Sequence, residues 1–462
     1  MKSIALHCDG SLENIRLRVQ LANGLKDKGL KAILLCDSEQ ACAIGQESGF
    51  KSYDLSQFDS VELTPELETR ALDWMHQFQE LDIHYLIHTH DKLNGNFRLN
   101  SYEHHYRLAI SRILGVKHVH EQEQSLDYIW DFAGDELYHT TVRLLINACN
   151  AQLLAYRESV FPERGVLMSN QYLTFETPYS SIKDIEISSE EKEAMEDFFQ
   201  TYFERKQIFW GNPKAKEKAD RSKVTKRVFA TRITDLFNKN RNFVAYNILK
   251  KYVRKRLNKR LYLRDLTLLE NGKFIYFPLH YPVDSQLLLR GRPFTNQIAL
   301  IELLIELLPY GYKLIVKEHP HARGLIRYRE LKRIAKSDRV VLLNPTVNSH
   351  EIFDKIKATF IINSTVGVES LYRNIPVFNL GMNYLRGSGL TVDIESMFDF
   401  LSAFSSIDKL KVDHELLRKF FAYSHRYSYP ISSIKTLQNK LSPQEIEDLS
   451  QILYNVIQTE KH

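Results

Sequence analysis

The chain reads as an α/β protein of two domains, each built on a parallel sheet, and three observations predict this. Short apolar, β-branched runs alternate with helical stretches in both halves, as in Lys2 to Cys8 followed by Leu12 to Lys28. Such alternation calls for parallel strands joined by crossover helices. The 462 residues, 44% hydrophobic and 26% charged, suffice to bury two cores of ordinary size. Polar motifs follow directly on two of the apolar runs, Lys317-Glu318-His319-Pro320 after Tyr312 to Val316, and Asn363-Ser364-Thr365-Val366-Gly367-Val368-Glu369 after Ala358 to Ile362. In an open α/β sheet, ligands collect at the carboxyl ends of the strands.

The first domain is expected over 1–170. After Lys2 to Cys8 and its helix, Ala32 to Cys36 and Tyr85 to His88 are expected as strands, with Glu66 to Gln79 helical between them. A further strand, Gln152 to Tyr156, ends at Arg157-Glu158. A carboxylate at that tip suits general acid/base work, and equally suits a surface ion pair with Arg157. The four cysteines, Cys8, Cys36, Cys42 and Cys149, lie mostly in apolar runs without Cys-x-x-Cys spacing, so reduced, buried thiols are expected. No stretch approaches 18 uninterrupted apolar residues, and the N-terminus turns polar at His7-Cys8-Asp9, too early for a signal peptide. A cytoplasmic protein is expected.

The second sheet domain is expected over 271–390, behind a helical and strongly basic segment at 171–270 and ahead of C-terminal helices at 391–462. Its two motifs stand about 45 residues apart in successive strand–helix units. Ser364 and Thr365 fall where a helix begins, so their hydroxyls either cap it or bind an anion such as a phosphate. Gly367 allows close approach to the backbone, and Glu369, one turn on, is placed to accept from paired hydroxyls such as those of a ribose. His319-Pro320 is either a plain turn or a ligand contact. Gly387-Ser388-Gly389 is expected as a flexible turn.

Together with Tyr276-Phe277-Pro278-Leu279-His280-Tyr281-Pro282 and Gly291-Arg292-Pro293-Phe294-Thr295-Asn296-Gln297, these motifs resemble the C-terminal half of bacterial capsule and surface polysaccharide biosynthesis proteins. Within that group the chain looks similar to retaining β-Kdo transferases. The resemblance covers roughly Lys273 to Gly381. It implies a GT-B-like fold, two Rossmann-like domains facing a central cleft with C-terminal helices crossing back. It implies a glycosyltransferase of capsule or lipopolysaccharide synthesis using CMP-Kdo as donor and a glycan or lipid-linked glycan as acceptor. It also implies that His319, Ser364 and Thr365 hold the nucleotide phosphate. Lys317 would add charge beside them, Glu369 would support the ribose or the helix start, and His280 would touch the donor's carboxylate, with Arg290 and Arg292 as alternative cations. The retaining chemistry of those transferases requires an aspartate nucleophile. Asp235 is the candidate, with Asp284 as an alternative, although either suits a helix cap. Glu158 would be the general acid/base. No cofactor or metal ion is expected beyond the donor, since fixed donors in a closed site stabilise leaving-group charge and no Asp-x-Asp element occurs. A sugar-nucleotide epimerase or hydrolase sharing the phosphate site, and a non-catalytic assembly protein, are the alternatives.

Charge is sharply segregated. Arg205 to Arg264 holds 20 Lys and Arg against three acids, and the rest of the chain is net acidic, so the overall +5 conceals a strongly basic segment. Leu236 to Leu263 spaces Phe237, Val244, Ile248, Tyr252 and Leu257 at helical intervals among these cations. Such a helix suits an anionic membrane surface at the inner face of the cytoplasmic membrane, or packs its apolar face on the domain below. Nucleic acid is not an expected partner, because no recognition motif accompanies the charge. Histidines at His84, His88, His90, His104, His105, His118 and His120, with Asp91, form a competing metal-type constellation, but the longer ligand signatures of metal-dependent hydrolases are absent. Surface or acceptor-contacting histidines are the alternative to a metal site.

Overall fold

A computed structural model describes residues 1–78, 82–87, 102–132, 137–168, 182–204, 239–263, 265–269, 272–282, 284–288 and 290–459, the side chains of 239–248, 285, 286, 397, 434 and 437 excepted. The chain forms two compact units. The first holds the described residues of 1–173 and 427–462, the second those of 174–426.

In the first unit the elements run β1 (Ser3–Cys8), α1 (Leu12–Asp27), β2 (Lys31–Cys36), α2 (Glu39–Glu47), β3 (Lys51–Asp54), α3 (Pro65–Phe78), α4 (Tyr102–Glu123), β4 (Tyr128–Phe132), α5 (Leu137–Val142), β5 (Gln152–Glu158) and β6 (Gly165–Met168). All six residues of β1 are buried, as a strand covered on both faces requires. α1 begins where the Ser11 hydroxyl accepts the Asn14 N–H, and ends before Gly29, whose φ of +84° suits glycine at a helix C-terminus. The sheet order is β3-β2-β1-β4-β5-β6, parallel except for β6.

The strand expected at Tyr85 to His88 is not formed. Residues 83–87 are helical, with Ile83, Leu86 and Ile87 buried at the i, i+3, i+4 spacing of one helix face. The strand that pairs with β1 on that side is β4, Tyr-Ile-Trp-Asp-Phe, whose polar interruption hides an apolar strand. The four cysteines are free and buried.

The second unit continues with α6 (Ser189–Phe198), α7 (Lys239–Asn258), β7 (Lys273–Pro278), α8 (Gln297–Leu307), β8 (Tyr312–Lys317), α9 (Tyr328–Ile334), β9 (Val340–Leu343), β10 (Ala358–Ile361), α10 (Val366–Tyr372), β11 (Val377–Asn379), β12 (Val392–Asp393), α11 (Met397–Ser405) and α12 (His414–Arg426). Its sheet is parallel throughout, in the order β12-β11-β10-β7-β8-β9. On one face Ile275, Phe277, Leu314, Val316 and Phe360 pack under α8, α9 and α11, and on the other Tyr276, Ile315 and Leu343 meet Ile352 and Phe353. Both sheets thus reverse winding direction beside their first strand, between β1 and β4 and between β7 and β10.

The C-terminal helices divide at Arg426. Beyond it the chain returns to the first unit, where the Tyr156 hydroxyl donates to the Ile431 carbonyl at 2.7 Å and the Arg164 Nε to the Ser428 hydroxyl at 2.8 Å. The last helix, α13 (Pro443–Thr459), lays Ile446, Leu449, Leu453 and Ile457 into the core formed with Leu21 and Leu25 of α1.

Candidate functional site

The strand order of the second unit puts the reversal between β7 and β10, so the residues leaving those two strands border the crevice where such sheets take ligands. His280 leaves β7 and Asn363 leaves β10, and they meet. The His280 Nε2 accepts the Asn363 backbone N–H at 3.0 Å. The other end of His280 is clamped by Gln297, whose Oε1 accepts the His280 N–H at 2.8 Å and whose Nε2 donates to the His280 carbonyl at 3.2 Å. Burial, with the His319 imidazole nearby, depresses the His280 imidazole to about 4. It is therefore neutral at pH 7, and because Nε2 accepts, Nδ1 carries the proton.

Lys317 ends the neighbouring strand β8 and is buried, its Nζ donating to the Ser349 hydroxyl at 3.0 Å. Burial pulls its ammonium down to about 8 against the opposing fields of Glu369 and Glu351. Glu369, in the first turn of α10, is pushed up to about 7 by burial, with Lys317 and Arg373 opposing. The Nε2 of His350 lies 3.9 Å from its Oε2. These groups form a connected polar cluster at the end of β8 and the start of α10. Burial weakens the charge of both ionisable members, and each is the other's opposing field.

The remaining motif residues do different work. Glu318 turns away from this cluster and accepts from the Tyr262 hydroxyl. His319 is half-buried, its Nδ1 accepting the His321 N–H at 3.3 Å and its ring set edge-on to Tyr281. Ser364 accepts the Val366 N–H at 3.3 Å, whereas Thr365, at the cap position of α10, has helical backbone angles and makes no side-chain cap bond. Gly367 is not an opening for a ligand: a Cβ there would stand 2.6 Å from the Ile361 Cδ1 and 3.0 Å from a Leu385 methyl, so the missing side chain seats α10 on β10. In the turn at Gly387-Ser388-Gly389, Ser388 is buried and the Gly387 N–H donates to Asp393 at 2.7 Å. Asp284 opens a helical turn, its carbonyl accepting the Leu287 and Leu288 N–H groups.

His280, Lys317, Ser364, Thr365 and Glu369 thus flank the carboxyl ends of β7, β8 and β10, with His319 following Lys317. Glu158 ends β5 of the first unit, where it pairs with Gly165. Asp235, His88, His90 and Asp91 lie outside the described residues. The other histidines of the constellation have local partners: His84 stacks on Tyr102, His104 and His105 meet edge to face, His118 meets Tyr53, and the His120 Nδ1 accepts the Trp74 indole N–H at 3.1 Å. Sequence reasoning missed Gln297, Ser349 and His350. Asn348-Ser349-His350-Glu351, a polar run soon after β9, was the available signal for two of them.

Residues 209–429 match the family model described as capsule polysaccharide biosynthesis protein. The likeness carried by the motifs of the second unit is therefore one to capsule polysaccharide biosynthesis proteins. The capsule polysaccharide modification proteins LipB of Neisseria meningitidis serogroup A and serogroup B are each 31% identical over 156 residues, 30% of this chain and 36% of theirs. The chain thus spans about a third of the length of these curated relatives. Among solved structures, the β-Kdo 2,7 transferase KpsC of Thermosulfurimonas dismutans aligns over 97% of this chain and 99% of its own at 12% identity and a TM-score of 0.36. The S. aureus MnaA–UDP structure aligns over 96% and 98% at 14% identity and a TM-score of 0.25.

Proposed function

We propose that the protein is a glycosyltransferase of capsule polysaccharide synthesis whose second unit holds a nucleotide-sugar donor, CMP-Kdo being the donor to test first, for transfer to a glycan or lipid-linked glycan. The observation that carries this is the cluster at the β7/β10 reversal. A neutral His280 clamped at the end of β7, and a buried lysine and a buried carboxyl that feel one another at the end of β8 and the start of α10, lie in a segment whose family match is to capsule polysaccharide biosynthesis proteins. In this reading Lys317 and His319, with the Ser364 and Thr365 hydroxyls, take the nucleotide phosphate, and Glu369 accepts from the ribose hydroxyls. The Nδ1–H of His280 faces a donor carboxylate. Such preset donors stabilise the charge that develops on the departing phosphate without having to reorganise. Glu158 would serve as acid/base and Asp235 as nucleophile, with no metal ion required.

The test is thermal-shift and calorimetric binding of CMP, CDP, UMP, UDP, GDP and ADP to the wild type and to His319→Ala. Selective stabilisation by CMP that the variant loses is the expected result. Preference for UDP would replace the sugar. No binding by any nucleotide would overturn the reading in favour of a non-catalytic assembly role.

Contact with an anionic membrane surface forms part of the same proposal. The described part of α7 packs through Asn258, whose Nδ2 donates to the Ile326 carbonyl at 3.1 Å, and through Lys251, whose carbonyl lies against Gly324. Leu249, Tyr252 and Val253 are left exposed at 61%, 53% and 46%. This apolar stripe, flanked by Lys250 and Arg256, supports a helix that lies on lipid rather than one buried by its apolar face. No helix among the described residues is long and apolar enough to cross a membrane.

A further inference from the structure

The first unit has its own reversal point, between β1 and β4, and the groups gathered there take no part in the function proposed above. His7 stands in β1 and Asp131 in β4, 1% and 0% exposed, where a covered strand would ordinarily carry aliphatic residues. His139, on α5, joins them from the side and is 16% exposed. Burying an imidazole and a carboxylate in adjacent strands is costly unless their polar atoms are satisfied, so the arrangement calls for a reason.

The geometry supplies one. The His7 Nδ1 lies 3.1 Å from the Asp131 Oδ1 and 3.2 Å from the His139 Nδ1, and the His139 Nδ1 lies 2.6 Å from the same Asp131 oxygen. Three potential ligand atoms thus form a closed triangle. Adjacent ligands of an octahedral ion with bonds of ~2.1 Å stand ~3.0 Å apart, which is about the mean edge of this triangle. Two imidazoles and one carboxylate on a single face suit a first-row divalent ion and leave its remaining positions open. The outer contacts also match such a site. The far nitrogen of His7, Nε2, meets the Asp37 Oδ2 at 3.0 Å, and the second oxygen of Asp131 accepts the Arg143 Nε at 3.1 Å. A metal-bound histidine usually gives its other N–H to a carboxylate, and a ligating carboxylate is itself hydrogen-bonded.

We propose that His7, His139 and Asp131 bind a divalent first-row transition-metal ion in the first unit. With the His7 Nε2–H given to Asp37, the Nδ1 of His7 presents a lone pair to the Asp131 oxygen, and two acceptors at 3.1 Å need a cation between them. A single proton occupies one edge of the triangle and leaves another pair of lone pairs opposed. An ion faces all three atoms. The alternative cation is a second proton on His7. Carboxylates stand at both ring nitrogens of this buried imidazole, Asp131 at Nδ1 and Asp37 at Nε2, so the pocket favours positive charge there. The arginines do not supply it. Arg143 and Arg112 sit on the outer sides of Asp131 and of Asp37 and Asp59, and Arg18 donates to the His7 carbonyl while covering the Trp130 ring.

The full-length protein, stripped with a chelator and dialysed, is titrated with Co2+ and followed by visible absorption and calorimetry. One equivalent with ligand-field bands is expected. His139→Ala, checked for folding by circular dichroism, should weaken binding by about 100-fold or more, and Asp37→Asn by roughly 10–100-fold. The double variant His88→Ala/His90→Ala should bind as the wild type does. Pulsed EPR of the wild type loaded with Mn2+ should detect two coordinated imidazole nitrogens, which keeps the test independent of any variant that fails to fold. Absence of Co2+ binding at about 100 µM would leave His7 a buried imidazolium and overturn the proposal. So would fewer than two coordinated imidazoles, binding that survives in folded His139→Ala, or binding lost with His88 and His90.

Discussion

Because burial holds the Lys317 ammonium at about 8, this side chain changes from cation to neutral amine across the mildly alkaline range. Phosphate affinity should therefore fall as pH rises through 8, when Kd for the best-binding nucleotide is followed by calorimetry from pH 6.5 to 9.5. Lys317→Met should weaken binding about 30-fold at pH 7, the scale of one lost charged hydrogen bond, and flatten that profile. Its thermal midpoint should not drop, since an apolar chain of similar volume removes a desolvated charge. Glu318 supplies a stability test with the opposite origin. Burial raises it to about 7, with the Tyr262 hydrogen bond and Arg323 opposing. A carboxyl whose folded pKa lies above its unfolded value costs nothing below about pH 4.5 and costs progressively more as pH rises through 7. Glu318→Gln, which keeps an acceptor for Tyr262, should match the wild type in urea unfolding at pH 4.5 and exceed it by about 1–3 kcal/mol at pH 8.

Helices are seated on their neighbours at glycines, and the consequence is measurable. A Cβ on Gly24 of α1 would stand 2.5 Å from the Ser450 hydroxyl of α13. Gly24→Leu should cost roughly 1–3 kcal/mol through overpacking and hasten proteolysis between Arg426 and Pro443, read by limited trypsin digestion. Elements with strong periodicity or an all-apolar run were legible: β1, α1, β2, β5, β8 and β10 lie within a residue or two of their expected bounds. The failures have physical causes. β4 carries Asp131 inside it and so breaks the apolar run, and its charge is tolerated only because His7, His139 and Arg143 surround it. The segment 83–87 has apolar residues that fit a short strand or a helix face, and a window this short does not separate the two periods.

The first unit is completed by the last residues of the chain. Removing everything after Arg426 would expose Leu21 and Leu25 of α1 and delete the Ile431 acceptor of Tyr156. A chain ending at Arg426 should lose the cooperative unfolding of the first unit in calorimetry, and adding the missing peptide, 427–462, should partly restore it. The exposed stripe on α7 makes a separate claim about the protein's surroundings. The wild type should co-sediment with vesicles containing anionic lipid and lose most of that binding at 0.5 M salt. Leu249→Asp/Val253→Asp should abolish it while leaving nucleotide binding in place. Sedimentation indifferent to lipid charge would remove the membrane from the proposal.

Two parallel sheets, the strand-tip motifs and the buried, reduced state of the cysteines could be written down from the amino-acid order alone. Each depends on local patterns: apolar runs, turn and cap residues, and the spacing of side chains along one element. Which tips meet is a property of strand order, and strand order is settled by contacts between residues far apart in the chain. His280 touches Asn363 because β7 and β10 are neighbours, and Lys317 finds Ser349 because the loop after β9 folds over its end. The triangle of His7, Asp131 and His139 spans 132 residues of sequence and has no motif, so only the pairing of β1 with β4 brings it together. The return of the chain to the first unit after Arg426 is of the same kind. Amphipathic periodicity shows that α13 must bury a face, but not that α1 is what covers it.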